Sequence, residues 1–556
     1  MSRSRVKWCV AAIVAGLAAT SMASCTRGAE EGVPRWPNLV TRAVPPAPLG
    51  SSGLSGPLRA PGGPFLVDTH GRVVFLHGVN AVYKYPPYEL YPDPGKPWNF
   101  DSRDASVISE LGFNVVRLGM TWSGLEPGTA PANDPSICRP GAPGDPGQFN
   151  AQVLDAYLGR LKQTVDLLGR YHVYTLLDMH QDVYNEMFDG EGAPSWAVCT
   201  DGRPVTEAPG RWSNNYSTAA ADAAYHNFWT NRVAGNLQGE FDRVWTAVAS
   251  YFVDDPWVVG YDPFNEPFSV SLLRRGDDTF DNQLLCFYVG KTMAGQATAL
   301  RPAIHCPPAD PAVGLIPRIL QADSRHLVFY EPDIFSSRGG PNFVGSMDLP
   351  DLVFNIHDYC SYRSGKTGNP TDLAACAAQE QMTMQARAED RPELASPFQP
   401  GGPPWFMSEF GATSNPELLT LLTAEADQHL VGWSYWMWKF YGDPTGSSDE
   451  ALVDRHGLLK STVTALSRPY PQALAGTPIS MSFDARADVF RLIYRPNHSL
   501  QVPTVIYVPR AIHYPKGYCA RVEDGWIASK TGSPYLVVGN APVGNRVTVT
   551  LRAKGC

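Results

Sequence analysis

Two glutamates stand where acid–base and nucleophilic chemistry could be done together. Glu266 closes the run Tyr261-Asp262-Pro263-Phe264-Asn265-Glu266-Pro267, and Glu409 lies in Trp405-Phe406-Met407-Ser408-Glu409-Phe410-Gly411. A single Glu after an apolar run is ordinarily a solvated loop carboxylate. Two of them, closing separate buried runs, are what glycoside hydrolysis needs: about 5–5.5 Å apart, one attacks and the other works as acid and then base. Two carboxylates and water suffice for that reaction, so no metal and no organic cofactor is expected. The chain also lacks CxxC and HExxH spacing, which argues against zinc. A third carboxylate, Glu331 before Pro332, follows Tyr330 instead of an Asn and is read as structural or substrate-lining. Asp178 and Asp262 fall inside runs and are read as hydrogen-bonded residues of the scaffold.

Positioning two such groups requires a rigid frame. From about 65 to 466 a short apolar, β-branched run ending in polar residues recurs, each followed by a loop and a helix-like stretch. The runs are Val73–Asn80, Asn114–Leu118, His172–His180, Trp257–Asn265, His326–Glu331, Leu352–His357, Trp405–Glu409 and Val431–Trp438. Near-continuous apolar runs mark parallel strands covered on both faces. Eight strand–helix units predict an α/β fold, a (β/α)8 TIM barrel, whose reactive residues gather at the C-terminal ends of its strands. The excess length falls mainly in 184–256 and 268–325. From 467 to 556 the pattern changes to short strands at Phe490–Tyr494, Thr504–Val508, Tyr518–Val522, Tyr535–Val538 and Arg546–Leu551, which predict a small all-β sandwich. That domain reads as a packing partner of the barrel, with a carbohydrate-binding module as the alternative.

The chain has 556 residues and a formal net charge of −9, which disfavours nucleic acid as a partner. Residues 1–24 carry Arg3, Arg5 and Lys7 before an uncharged, small and apolar stretch, the layout of a secretory signal. Ser21-Met22-Ala23 suits ordinary cleavage. Met22-Ala23-Ser24-Cys25 resembles a bacterial lipobox and would make Cys25 a lipidated N-terminus, with membrane association through it. Residues 25–64 are rich in Pro, Gly and Ser and are expected to form a linker. A secreted or cell-surface location follows, and a monomer is expected. Besides Cys9 and Cys25 there are eight cysteines, an even number suited to pairing outside the cell. Sequence proximity favours Cys286 with Cys306, Cys360 with Cys376 and Cys519 with Cys556, leaving Cys138 with Cys199; spacing does not fix the connectivity.

Asn265-Glu266-Pro267 and Ser408-Glu409-Phe410-Gly411 resemble the signatures of glycoside hydrolase family 5, a retaining family of (β/α)8 enzymes. The resemblance implies Glu266 as acid/base and Glu409 as nucleophile. It implies that Arg117, in Asn114-Val115-Val116-Arg117-Leu118-Gly119, pairs with the nucleophile and keeps it ionised, and that Glu266 has a raised pKa. Asn265 matches the Asn that holds the sugar 2-hydroxyl. His357 and Tyr359 match the His and Tyr flanking the nucleophile, and Trp436 the Trp under the reacting sugar. Trp438, two residues on, is an alternative for that role, and Trp229 a further candidate sugar contact. The stretch from Leu176 to Ala197 and that from His77 to Pro87 are similar to the endoglycoceramidases within the family. There the residues matching Lys84, His180 and Asp182 fix the sugar beside the lipid. A glycosphingolipid substrate is thus implied, cleaved between oligosaccharide and ceramide, with Phe188, Trp196, Phe268, Leu272 and Leu273 as candidates for an apolar lip. A β-glucanase, a glycosidase of steryl or other glycolipids, or a non-catalytic carbohydrate-binding protein are the rival readings.

Overall fold

The computed structural model describes residues 54, 56–273, 279–340, 342, 344–364 and 368–553, all within one compact unit, Leu39–Cys556. The expected leader, Cys25, most of the linker and Cys556 lie outside the described residues.

Eight parallel strands close into a barrel: His77–Ala81, Val115–Met120, Tyr174–Met179, Val258–Asp262, Leu327–Tyr330, Leu352–Asp358, Trp405–Gly411 and Gly432–Trp436. Each of the eight expected runs supplies one of them. Every barrel strand is buried nearly throughout, because helices cover the outside and side chains fill the inside. The helix Ala151–Arg170 shows how the cover is specified. Its Leu154, Tyr157, Leu158, Leu161, Val165 and Leu168 recur at helical spacing and are buried, and Asn150 caps its first turn through Gln152 and Val153.

Register prepares the site. Asn80 pairs with Arg117, and Asp178 with Asp262, across neighbouring strands. Between the sixth and seventh strands the register shifts after Ile356, and this brings His357 level with Glu409.

Two expectations change at the opposite end of the barrel. The run Val73–Asn80 is not one strand. Val73–Val74 pairs antiparallel with Leu66–Val67, and the barrel strand begins at His77. The last part of the expected linker is not loose either. Leu54, Leu58 and Ala60 are buried with Val115, Tyr174, Leu327 and Phe406, and Tyr174 donates to the carbonyl of Gly56. A short apolar segment thus caps the N-terminal end of the barrel, a role its Pro and Gly content concealed.

The C-terminal part is two four-stranded antiparallel sheets. Three of its strands, Tyr470–Ala473, Gly476–Asp484 and Gly525–Ile527, were not among those expected. Inward Phe490, Leu492 and Tyr494 alternate with outward residues, as a half-buried sheet requires. The sandwich packs on the barrel directly. The Tyr470 ring stacks 3.9 Å from His77, Tyr470 Oη donates to the Gly112 carbonyl, and Tyr507 Oη donates to that of Glu110. A Cβ on Gly112 would sit 2.2 Å from the Tyr507 ring, so only glycine permits this approach.

Disulfides join Cys138 to Cys199, Cys286 to Cys306 and Cys360 to Cys376; the fourth expected pair includes Cys556. No helix among the described residues is long and apolar enough to cross a membrane.

Candidate active site

Glu266 follows the fourth strand and Glu409 sits on the seventh, both at the C-terminal mouth of the barrel. A carboxylate oxygen of each and a ring nitrogen of His357 lie within 4.8 Å of one another. His357 Nδ1 is 2.9 Å from Glu266 Oε1 and 3.5 Å from Glu409 Oε2.

Their other neighbours differ. Glu409 accepts from Tyr359 Oη at 2.7 Å and from Arg117 Nη1 at 2.5 Å. Arg117 is fully buried and organises the floor of the site: Nε donates to Asp262, while Nη2 donates to Asp178, Asn265 and Glu331. Asn265 Nδ2 donates in turn to the Gln181 carbonyl, so both ends of its amide are held. Asp178 and Asp262 are the hydrogen-bonded scaffold residues expected.

Burial pushes the Glu409 carboxyl above the ordinary range. His357 and Arg117 pull it back, nearby Glu266 adds to the rise, and the Tyr359 hydroxyl opposes it. In a dry site the charge partner offsets desolvation without overcoming it. Burial would also depress the His357 imidazole, but Glu331, Glu409 and Glu266 surround it and hold it well above its usual value.

Beside this group lies a second one. Lys84 Nζ reaches Asp182 Oδ2 at 2.5 Å, Asp443 Oδ1 at 3.2 Å and Glu191 Oε1 at 3.7 Å, and donates to Thr445 Oγ1. It stands 4.8 Å over the Trp436 ring, and His180 stacks on that ring at 5.3 Å. His180 Nδ1 contacts Asp178, which links the two groups through Arg117. Three carboxylates hold the Lys84 ammonium well above its usual pKa against the opposing effect of burial. The ammonium occupies the position a cation would need among His180, Asp182 and Glu191.

Lys84, Arg117, His180, Asp182, Asn265, Glu266, His357, Tyr359, Glu409 and Trp436 are thus brought to one mouth. Trp229 is not. It is fully buried among Phe228, Phe264, Phe280 and Phe287, its indole donates to the Phe268 carbonyl, and no face is free for a sugar. Trp438 lies beyond the end of the eighth strand, buried, with its indole bonded to Asp104. Trp436 ends the eighth strand at the mouth, beside Lys84 and His180. The candidate lip residues Phe188, Trp196, Phe268 and Leu272 are core as well; the side chain of Leu273 is outside the described ones.

Asp443 and Thr445 sit in a loop with no motif, and Glu191, though inside the Leu176–Ala197 stretch, has no strand-end position to single it out. Glu331 takes the structural place that the sequence reading gave it. It lines the floor behind Glu266, and the strand-end position that singled it out was the correct signal.

Residues 94–442 match the family described as cellulase (glycosyl hydrolase family 5), and residues 468–551 match the glycoside hydrolase family 5 C-terminal domain. The chain is 29% identical to endoglycoceramidase I of Rhodococcus hoagii (strain 103S) over 500 residues, 86% of each chain. It is 26% identical to the endoglycoceramidase of Hydra vulgaris over 507 residues, 85% of this chain and 84% of that one. The fold superposes on endo-glycoceramidase II from Rhodococcus sp., solved as a lactosyl-enzyme intermediate, with a TM-score of 0.67 at 24% identity over 88% of this chain and 100% of the other.

Proposed function

This chain belongs to glycoside hydrolase family 5, and we propose that it releases intact oligosaccharides from glycosphingolipids, acting as a monomer that cleaves the β-glycosidic bond to ceramide with retention. The observation that carries this reading is the Glu266–His357–Glu409 cluster. The nearest oxygens of the two carboxylates lie within 4.8 Å, which suits direct attack, whereas an inverting enzyme sets its carboxyl groups about 6.5–9.5 Å apart to seat a water between them.

Glu409 Oε1 and Oε2 are fixed by Arg117 and Tyr359, so its carboxylate is aimed and its charge partly balanced. It attacks the anomeric carbon while Glu266 gives its proton to the departing ceramide oxygen. The C–O bond to the lipid breaks and a glycosyl ester on Glu409 forms. Glu266, now a carboxylate, takes a proton from water, and that water displaces Glu409 from the same face the lipid left. Two inversions give retention. Trp436 stands at the mouth with Lys84 over its ring and His180 stacked beside it, and the Lys84–Asp182–His180 group offers charged hydrogen-bonding partners for the sugar.

A lipid aglycone is supported by the likeness to endoglycoceramidases across both domains. Exposed apolar side chains on loops at the same end of the barrel also favour it: Tyr85 after the first strand, Met187 after the third, Phe335 after the fifth and Tyr362 after the sixth. Export and a lipid anchor on Cys25 are part of this proposal. Palmitate labelling of the cells should mark the wild-type chain and not Cys25→Ser.

The deciding assay incubates the protein with lactosylceramide and with a soluble β-glucan, and reads the sugars by mass spectrometry. Intact lactose from the lipid, absent with Glu266→Gln and with Glu409→Gln, is the expected result. Glucan fragments without lactose would keep the two carboxylates and overturn the ceramide assignment.

A further inference from the structure

Glu266 has φ of 43°, a left-handed conformation costly for any residue that carries a Cβ. Something must hold it. The Glu266 N–H donates to Glu331 Oε2 at 2.9 Å, and the Glu266 carbonyl accepts from Gln181 Nε2 at 3.3 Å. The other oxygen of Glu331 accepts from Arg117 Nη2 at 3.2 Å and stands 3.1 Å from His357 Nε2. One buried carboxylate therefore reaches the backbone of the acid/base, the guanidinium that orients the nucleophile, and the far nitrogen of the imidazole whose near nitrogen meets Glu266.

Resting on the reading above, we propose that Glu331 is a positioning residue for the acid/base: it fixes the turn that presents Glu266, and through His357 it makes the Glu266–His357 unit hold its catalytic proton to higher pH. A glutamine there cannot do both. Each oxygen of Glu331 faces N–H groups, so an amide NH2 would oppose a donor on one side or the other. The negative charge matters separately. A carboxylate beside the imidazole favours the proton that His357 and Glu266 share, and its removal releases that proton at lower pH. During the first step this proton passes to the departing oxygen as the glycosidic bond breaks and Glu409 bonds to the anomeric carbon. The other ionisable groups facing the unit include Arg117 on the second strand, Asp178 on the third, Asp182 just after it, Tyr216 and Tyr225 from the long insertion that follows, Asp262 on the fourth, Tyr359 after the sixth, Glu409 on the seventh, and Tyr288, whose hydroxyl donates to the Glu331 carbonyl.

The test measures kcat/KM against pH for the wild type, Glu331→Gln and Glu331→Asp. Two lactosides are compared, a dinitrophenyl one that departs without a proton and an alkyl one that needs it. In Glu331→Gln the alkaline limb should move down by about one pH unit or more. The loss should be at least about tenfold greater on the alkyl substrate, since general acid help is worth about 10²–10⁴-fold. Glu331→Asp keeps the charge and shortens the reach, so it should lower kcat with the limb in place. An unmoved limb in Glu331→Gln with equal losses on both substrates would overturn the proposal. So would a limb displaced as far in Glu331→Asp, the variant that decides if Glu331→Gln does not fold. Neither lactoside carries ceramide, so failure of the lipid assignment would leave this result standing.

Discussion

Glu409 is gripped by Arg117 and Tyr359, whereas Glu266 faces His357 with its backbone tied to Glu331. That asymmetry, between two chemically identical side chains, suits the proposed roles, which product stereochemistry can check. With dinitrophenyl lactoside and azide, Glu266→Ala should yield the β-glycosyl azide, because azide attacks a glycosyl ester still formed on Glu409. Glu409→Ala should yield the α-azide by direct displacement. NMR of the two products decides, and exchanged anomers would exchange the roles. Lys84 allows a second test. Lys84→Met leaves Asp182, Glu191 and Asp443 buried without their counter-charge, at a cost of about 3–5 kcal/mol by denaturant unfolding near neutral pH. Burial already raises Asp182 and Glu191. Acidification neutralises them, so the cost of the substitution should shrink as pH falls.

Elements fix the remaining geometry. Cys360 directly follows Tyr359, and its bond to Cys376 ties the loop after the sixth strand to the start of helix Leu373–Asp390. Closing a loop of 16 residues is worth about 3 kcal/mol on the chain-entropy account. The Cys360→Ser/Cys376→Ser protein should lose stability of that order in guanidinium unfolding, and its kcat should fall because Tyr359 is no longer anchored. Glu126 and Glu240 form another coupling between elements, at the end of the short helix Trp122–Leu125 and in Leu237–Phe252. Burial, with the Glu240 charge adding to it, pushes Glu126 up to about 8. The folded protein thus keeps a proton that the unfolded chain releases nearer 4.5. The associated stability is complete in acid and is lost as pH climbs through about 8. Glu126→Gln should raise the melting temperature at pH 8 relative to wild type and leave it nearly unchanged at pH 5. A parallel shift at both values would sink this account.

At the scale of the molecule, the sandwich belongs to the barrel. His77 opens the first barrel strand with its ring held between Trp433 and Tyr470, and burial depresses its pKa well below the usual value, so a neutral, flat ring serves as mortar. Ser467 and Tyr470 bond to the Leu111 and Gly112 carbonyls, and Leu474 pairs with Val73. Truncation after residue 467 would remove Tyr470, Leu474 and Tyr507 and expose the His77 ring, the Gly112 and Glu110 carbonyls and the apolar Val73 and Phe75 that they cover. The shortened chain should be insoluble or rapidly cleaved by trypsin under conditions in which the full chain resists. A stable, soluble barrel would instead favour an independent module.

Much of this was legible in the order of residues. Eight apolar runs ending in polar groups require a parallel barrel, since only strands covered on both faces read that way, and strand ends then place Glu266 and Glu409 at one mouth. Arg117 was legible only through the resemblance to glycoside hydrolase family 5. What the order of residues left open depends on which groups meet across the fold. Trp229 reads like a sugar platform until its neighbours are known to be four phenylalanines. The residues around Phe188 read like a lip until they prove to be core. Asp443 and Glu191 gain meaning only from the buried Lys84 they surround, and Glu331 only from the backbone N–H it holds. Periodicity is set by covalent neighbours and survives in sequence. Burial and charge pairing are set by residues hundreds of positions apart, and only the tertiary structure brings those together.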